Sequence, residues 1–412
     1  MMNTSNKIAV IISGVSSGQY LAGLFHQYGY RSIHIKSDPQ AEDIPNAEDY
    51  LAHFTYTGDM DALLAQLATY DIFCVIAGAD EGIYLADALA AALNLPGNSP
   101  QTTAYRRNKY IMAECLSKNN LASIPHFQSE TVEEVVKWAK QQAQWPLIIK
   151  PVDGAGTEGF YICADPLELH DAAAKLLNMQ SLLGHRHSNI LCQPFMQGTE
   201  YMVNTISVDG EHHVTDIWCC NKIMKNQSMI YDYSISISIE SDVYAILTPY
   251  IYAVLDALDV VEGLAHSEVM LTAQGPVLIE VNQRVMGLGI NPEILSRYLG
   301  VSQSELLVMR YVNFERYQEK VHKLFVTQNT LACVHHIVEK ENCYAHPSGF
   351  KKIQQLPSFI GNKFDADFFT PLAKTRDLAT SYGWVLLGHN DFNVIKSDIK
   401  KLRVIEKDDL FT

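Results

Sequence analysis

Two carboxylates and an amide stand on a pair of strand-like segments in the middle of the chain. In "AHSEVMLTAQGPVLIEVNQR", Glu268 lies on the first segment, and Glu280 and Asn282 lie on the second. Glu280 and Asn282 are two residues apart, so on a strand their side chains share a face. A tight turn at Gln274-Gly275-Pro276 makes the segments antiparallel neighbours and brings Glu268 towards Glu280. Two carboxylates and an amide oxygen converging in this way suit Mg2+, which takes hard oxygen ligands and keeps places for water and phosphate. The competing reading is a solvent-facing strand whose polar residues lie opposite the apolar face of "VLIEVN". Arg284 is two residues beyond Asn282 and points to the same side. Its guanidinium could hold a carboxylate or an oxyanion bidentately, or it could be a surface arginine at a strand end. His266 precedes Glu268 by two residues and shares its face, either in a substrate pocket or packed against the strand.

A second constellation is "IIKPVDGAGTEGFYIC", where Gly154, Gly156 and Gly159 make a literal G-x-G-x-x-G. A dinucleotide site needs a helix after that turn. Here an aromatic and β-branched run follows, so the stretch reads as a hairpin with a glycine-rich tip. Such a tip lets backbone N–H groups approach phosphate oxygens, with Lys150 at its base as a point charge. An ordinary hairpin is the other reading. No G-x-x-x-x-G-K-[ST] is present, so a phosphate-loop NTPase is excluded. Neither a convincing Ser–His–Asp set nor a Cys–His set is visible. His212-His213 and His335-His336 resemble metal ligands, but neighbours on a strand point to opposite faces, which favours structural roles.

The elements that must position these residues follow from periodicity. Residues 7–100 alternate strands ("KIAVIISG", "RSIHIKS", "DIFCVIAG") with helices ("SSGQYLAGLFHQYGY", "MDALLAQLATY", "DEGIYLADALAAALNL"), which predicts a parallel sheet with helices on both faces. Ligands of such sheets gather beyond the strands' carboxyl ends. That singles out Ser16-Ser17-Gly18, as a helix cap or a ligand contact, and Asp80-Glu81-Gly82, with Glu81 as a ligand contact or a helix N-terminal carboxylate. "TTAYRRNKYIMAECLSKNNL" predicts one helix carrying Lys109. From residue 189 strands dominate, with a hairpin turn at Asp209-Gly210.

The 412 residues have a formal net charge of −15, with 48% hydrophobic and 19% charged residues. A chain this acidic binds neither nucleic acid nor an anionic membrane through its overall field. Any anion must be held by a few local cations and N–H groups. The eight cysteines are scattered with no C-x-x-C pair, which suits the cytoplasm better than a disulfide frame or a zinc site. "IAVII" reads as a first strand and not as a secretory core.

Taken in order, Lys109, Lys150 with its glycine hairpin, "CQPFMQGTE" and E…E-x-N-x-R resemble the ATP-grasp superfamily. Within it they look most like the carboxylate–amine ligases that join amino acids into dipeptides. The resemblance implies an α/β and α+β multidomain fold. It divides the chain into an N-terminal α/β domain (1–104), a small lobe (105–188), a large lobe (189–315) and a C-terminal lobe (316–412). It implies that Lys109 and Lys150 touch ATP phosphates under the loop of Gly154, Gly156, Thr157 and Gly159. Gln193 and Met196 would meet adenine, Glu200 the ribose, and Lys222 a further phosphate. Glu268, Glu280 and Asn282 would hold two Mg2+, or Mn2+ in their place. Arg284 and His266 would serve catalysis and substrate binding, with Glu81, Ser17 and Gly287 of "VMGLGI" at the substrate. The expected reaction phosphorylates a carboxylate with ATP, and an amine then attacks the acylphosphate. The expected partners are small-molecule amino acids, with a homodimer as the common assembly of such ligases. The alternatives are a ligase for a non-amino-acid carboxylate and a catalytically silent nucleotide-binding regulator.

Overall fold

The computed structural model describes residues 6–40, 43–142, 144–152, 159–179, 188–225, 228–323, 329–377 and 380–412. Three sheets organise them. The first holds parallel strands β1 (Lys7–Ile12), β2 (Arg31–Lys36), β3 (Tyr50–Thr55) and β4 (Asp71–Ala77), in the order β3-β2-β1-β4. Successive residues of β1 feed opposite faces. Ala9 and Ile11 meet Leu21 and Phe25 on one side, while Ile8, Val10 and Ile12 meet Leu85 and Leu89 on the other. Burial on both faces is why "KIAVII" shows no polar alternation. β3 is absent from the sequence reading. It is an edge strand whose residues are mostly exposed or half-buried, so its periodic signal is weak.

The chain steps outward from β1 to β3 and then returns to β4, so the direction of winding reverses between β1 and β4. That is the point at which open α/β sheets bind ligands. The loops after these strands lie against each other. A Cβ on Gly18 would sit 2.4 Å from the Gly78 carbonyl oxygen, and one on Gly78 would sit 2.6 Å from that of Ser13. Only glycine permits this approach.

The second sheet is antiparallel: β5 (Phe127–Ser129), β6 (Leu147–Pro151), β7 (Tyr161–Cys163) and β8 (Ile190–Pro194), in the order β5-β8-β6-β7. β6 and β7 pair with each other, so the glycine-rich stretch joins two antiparallel strands as the sequence predicts. Gly154, Gly156 and Thr157 lie outside the described residues. Gly159 has φ +64°, and a Cβ there would stand 2.6 Å from Leu176 Cδ1. Helices Val132–Ala139 and Pro166–Asn178 cover this sheet through Val135, Leu169 and Leu176.

The third sheet has eight strands: β9 (Thr199–Val208), β10 (Glu211–Lys225), β11 (Ser228–Ser236), β12 (Gly263–Thr272), β13 (Gly275–Asn282), β14 (Thr330–His335), β15 (Phe359–Phe364) and β16 (Gly383–His389). Their order is β13-β12-β9-β10-β11-β14-β16-β15, so the C-terminal strands continue this sheet. The β9–β10 turn has φ 52° at Asp209 and 80° at Gly210, the left-handed pair a two-residue hairpin needs. Helix Asp242–Ala257 packs Leu247, Ile251 and Val254 under β12 and β13 and against Met112 and Leu116.

The single helix expected around Lys109 is two. Thr103–Arg107 stops at Asn108, whose φ of −113° and ψ of 111° are extended. The Asn108 side chain then accepts from the backbone N–H of Tyr110 at 3.0 Å and of Ile111 at 3.1 Å. This caps helix Lys109–Lys118 and sets Lys109 at its first position. Among the described residues no helix is long and apolar enough to cross a membrane.

Candidate active site

A cavity of about 1020 Å³ opens where the three sheets meet. Among the described residues singled out in the sequence, Ser17, Glu81, Lys109, Lys150, Gln193, Met196 and Glu200 line it. So do Lys222, His266, Glu268, Glu280, Asn282, Arg284 and Gly287. Gly159 does not line it.

Its centre is built by β12 and β13, whose register sets Glu268 opposite Glu280 and His266 opposite Asn282. A bulge follows Glu268. Asn282 Nδ2 donates to Glu280 Oε1 at 2.8 Å, and Lys109 Nζ lies 2.6 Å from Glu280 Oε2. Burial would raise the Glu280 carboxyl, but the Lys109 ammonium and the two hydrogen bonds hold it well below the usual carboxylate range. Burial and the neighbouring Lys109 ammonium push Lys150 down to about 8. Burial would raise the Glu268 carboxyl as well, but His266 and the Lys222 ammonium together hold it below its ordinary value. The donor set therefore consists of hard oxygens, with a cation already seated on one of them. Among the described residues no three His, Cys, Asp or Glu side chains form a metal cluster. A cation here must complete its shell with Asn282, water or ligand oxygens, which fits Mg2+ and does not fit zinc.

His266 is oriented from behind. Asn204 Nδ2 donates to Asp216 Oδ1 at 2.5 Å, and Asn204 Oδ1 lies 2.9 Å from His266 Nδ1. A carboxylate only accepts, so the amide orientation makes its oxygen the acceptor from His266 Nδ1–H. His266 Nε2 is left facing Glu268 Oε1 at 3.9 Å.

At one end of the cavity the lining is apolar, from Ile148, Met270 and Ile279, with Gln193 beside them. Gln193 is 3% exposed, and its Oε1 is buried with no partner in the described protein. Nearby, Lys222 Nζ lies 2.7 Å from Glu200 Oε1 and 4.3 Å from the centre of the Tyr231 ring.

At the other end, Arg284 stands two residues beyond the last residue of β13. Its Nε and Nη2 both donate to Asp80 Oδ2, at 3.0 and 2.8 Å. The acid that meets this arginine is thus Asp80, while its neighbour Glu81 also lines the cavity. No side chain caps the short helix Ser16–Tyr20, and Ser17 in its first turn bonds elsewhere. Its hydroxyl accepts from the Gly289 N–H at 2.8 Å, and Ser16 Oγ donates to the Gly287 carbonyl at 2.7 Å. The two serines therefore fasten the glycine turn of "VMGLGI" to the N-terminal sheet.

Sequence reasoning missed Arg107 and Asn204, and it singled out the loop of Asp80 without giving that residue a role. Asp80 had a signal in its place next to Glu81, and Arg107 in its place two residues before Lys109. Asn204 had none. His335 lines the cavity, while His336 on the opposite face is buried 2.8 Å from Glu406 Oε1. Both are buried, and neither belongs to a metal-ligating cluster among the described residues. The His212-His213 pair is structural, with His212 against Ser207 Oγ at 2.8 Å and His213 against the His322 ring at 5.4 Å.

A family model for the ATP-grasp domain matches residues 143–292, the segment from β6 past β13 that supplies Lys150, Glu200, Glu268, Glu280 and Asn282. That segment is what the chain shares with ATP-grasp domains. The chain is 29% identical to dapdiamide A synthase of Enterobacter agglomerans over 413 residues, covering 98% of the chain and 97% of that relative. It is 22% identical to the L-arginine-specific L-amino acid ligase of Bacillus subtilis, over 58% of the chain and 57% of the relative. The crystal structure of L-amino acid ligase from Bacillus licheniformis matches the fold of the chain with a TM-score of 0.77 at 19% identity, over 100% of the chain and 99% of that protein.

Proposed function

We infer that the protein is an ATP-dependent carboxylate–amine ligase that joins amino acids through an acylphosphate, releasing ADP and phosphate. The observation that carries this is the single cavity in which Lys109 and Lys150 stand beside Glu268, Glu280 and Asn282, with Arg284 a short step beyond. The end-to-end similarity to dapdiamide A synthase supports it.

A carboxylate is a poor electrophile, and transfer of a phosphoryl group to it needs charge neutralisation, alignment and exclusion of water. Lys109 and Lys150 meet the ATP phosphates, and Lys222 adds a third cation. Ile148, Met270 and Ile279 sandwich the adenine. The unpartnered Gln193 Oε1 accepts from the exocyclic amine, the Met196 backbone reaches the ring, and Glu200 takes the ribose. Glu268, Glu280 and Asn282 would hold Mg2+, which when bound neutralises phosphate charge. Arg284 contacts the substrate carboxylate or the oxyanion formed when the amine attacks, and His266 lies beside it. Glu81, Ser17 and Gly287 close the substrate end. The eight free thiols, mostly buried, support a reducing compartment, the cytoplasm.

The test is phosphate release from ATP with single and paired amino acids, followed by mass spectrometry of the products. ADP and phosphate that depend on an amino-acid pair are expected. AMP with pyrophosphate would replace the acylphosphate with an adenylate, and no turnover with any carboxylate would leave a nucleotide-binding protein. Glu280→Ala is expected to lower turnover by about a thousandfold or more with the fold intact, and retained activity would remove the metal assignment.

A further inference from the structure

Arg284 is held through three of its N–H bonds. Asp80 takes its Nε and Nη2 donors on a single oxygen, at 3.0 and 2.8 Å, and the Val285 carbonyl takes one Nη1 donor at 3.1 Å. A guanidinium carries five N–H bonds, so one N–H on each terminal nitrogen has no partner among the described residues. The other Asp80 oxygen accepts from Arg107 Nη1 at 3.3 Å. Arg107 also lines the cavity, and its Nε is buried without a partner in the described protein. Asp80 is thus an anion between two guanidiniums that come from separate elements. It stands on the loop after β4, Arg107 ends helix Thr103–Arg107, and Arg284 follows β13. The cluster carries a net charge of one positive unit in a chain of net charge −15, enough to match one carboxylate.

We propose that Asp80 is the positioning residue of the substrate-anion site: its carboxylate separates Arg107 from Arg284 and locks Arg284 with two N–H bonds left over for a substrate carboxylate or oxyanion. The proposal rests on the ligase reading, in which Arg284 touches that group. Without Asp80 the two cations repel each other, and Arg284 regains the rotamers of a long side chain, so its fork is no longer prepared for the substrate. A structural ion pair between the N-terminal sheet and the large sheet would affect stability alone. A positioning residue affects the amino-acid substrate and acts through Arg284.

The test measures phosphate release by the full-length protein at saturating ATP while the amino acids are varied. It compares wild type, Asp80→Asn, Arg284→Lys and the double variant. Absence of substrate-dependent phosphate in wild type ends the ligase reading and this proposal with it. With wild type active, Asp80→Asn is expected to lower kcat/KM for the amino acids by about 10- to 100-fold and to leave the KM for ATP within about twofold. In the Arg284→Lys background the same substitution is expected to cost less than about threefold, because groups that work as a unit are not additive. Wild-type kcat/KM in Asp80→Asn, or an equal loss in both backgrounds, overturns the proposal while leaving the ligase reading in place. If Asp80→Asn lacks a cooperative thermal transition, Asp80→Glu is measured against the same criteria.

Discussion

At the scale of the residue, a histidine in a catalytic pocket can present either nitrogen, and at His266 the choice is made by a side chain that never reaches the cavity. Asn204 is fully buried and passes the demand of Asp216 for a donor through its amide to His266 Nδ1. Asp216 also accepts from Trp218 Nε1 at 2.6 Å and from Thr215 Oγ1 at 2.8 Å, so its own position is fixed. Asn204→Leu would leave the His266 Nδ1–H without its acceptor and would take one donor from Asp216. The expected outcome is a loss of about 1–3 kcal/mol of stability, read by thermal melting, with turnover about tenfold or more below wild type in the phosphate assay. Unchanged turnover at lowered stability would show that the ring needs no such support.

At the scale of the element, the break at Asn108 decides where Lys109 can act. A continuous helix from Thr103 would carry Lys109 part-way along a cylinder. The extended residue at 108 instead starts a new helix, with Lys109 in its first turn and 2.6 Å from Glu280. The helix is held from below by Met112 and Leu116, which are 3% and 1% exposed in the core beneath β12 and β13. Two substitutions separate the cap from the packing. Asn108→Ala removes the cap and is expected to cost about 1 kcal/mol of stability while raising the KM for ATP severalfold, because the adjacent lysine loses its anchor. Leu116→Ala leaves a cavity and is expected to cost about 2–5 kcal/mol, with a smaller change in KM per kcal/mol lost. Equal ratios of the two effects would mean that the break has no special part in placing Lys109. Melting curves and ATP titrations of the same preparations decide it.

At the scale of the molecule, the cavity sits where three sheets meet, so whatever loosens one sheet opens the site. The acid limb of stability has an identifiable contributor. His335 on β14 is pushed down to about 4 by burial, with the Arg403 guanidinium and His336 adding to the effect. An unfolded histidine takes up a proton near pH 6.5. The unfolded chain therefore binds more protons than the folded one between about pH 6.5 and 4, and stability falls as pH falls through that window. A shift of that size corresponds to roughly 3 kcal/mol at its lower end. The expected result is a melting temperature that drops between pH 7 and pH 5, and a smaller drop in His335→Leu. An identical drop in the variant would assign the acid sensitivity to other groups.

What the chain determined by itself is local chemistry and its order. The E…E-x-N-x-R spacing, the lysine before a glycine hairpin and the βαβ rhythm are legible because strand and helix periods, turn residues and donor types are properties of short segments. β1, the β6–β7 hairpin and the Asp209-Gly210 turn follow that reading. Only tertiary structure decided the rest. β3 is an edge strand with little burial to mark it, and Asn108 interrupts a helix that its apolar spacing does not interrupt. The pairing of β11 with β14 makes the C-terminal strands continue the large sheet. Asp80 and Arg284 are 204 positions apart, and Asn204 and His266 are 62 apart. No periodicity spans such separations, because a hydrogen bond between distant residues forms only after the sheets that carry them have packed.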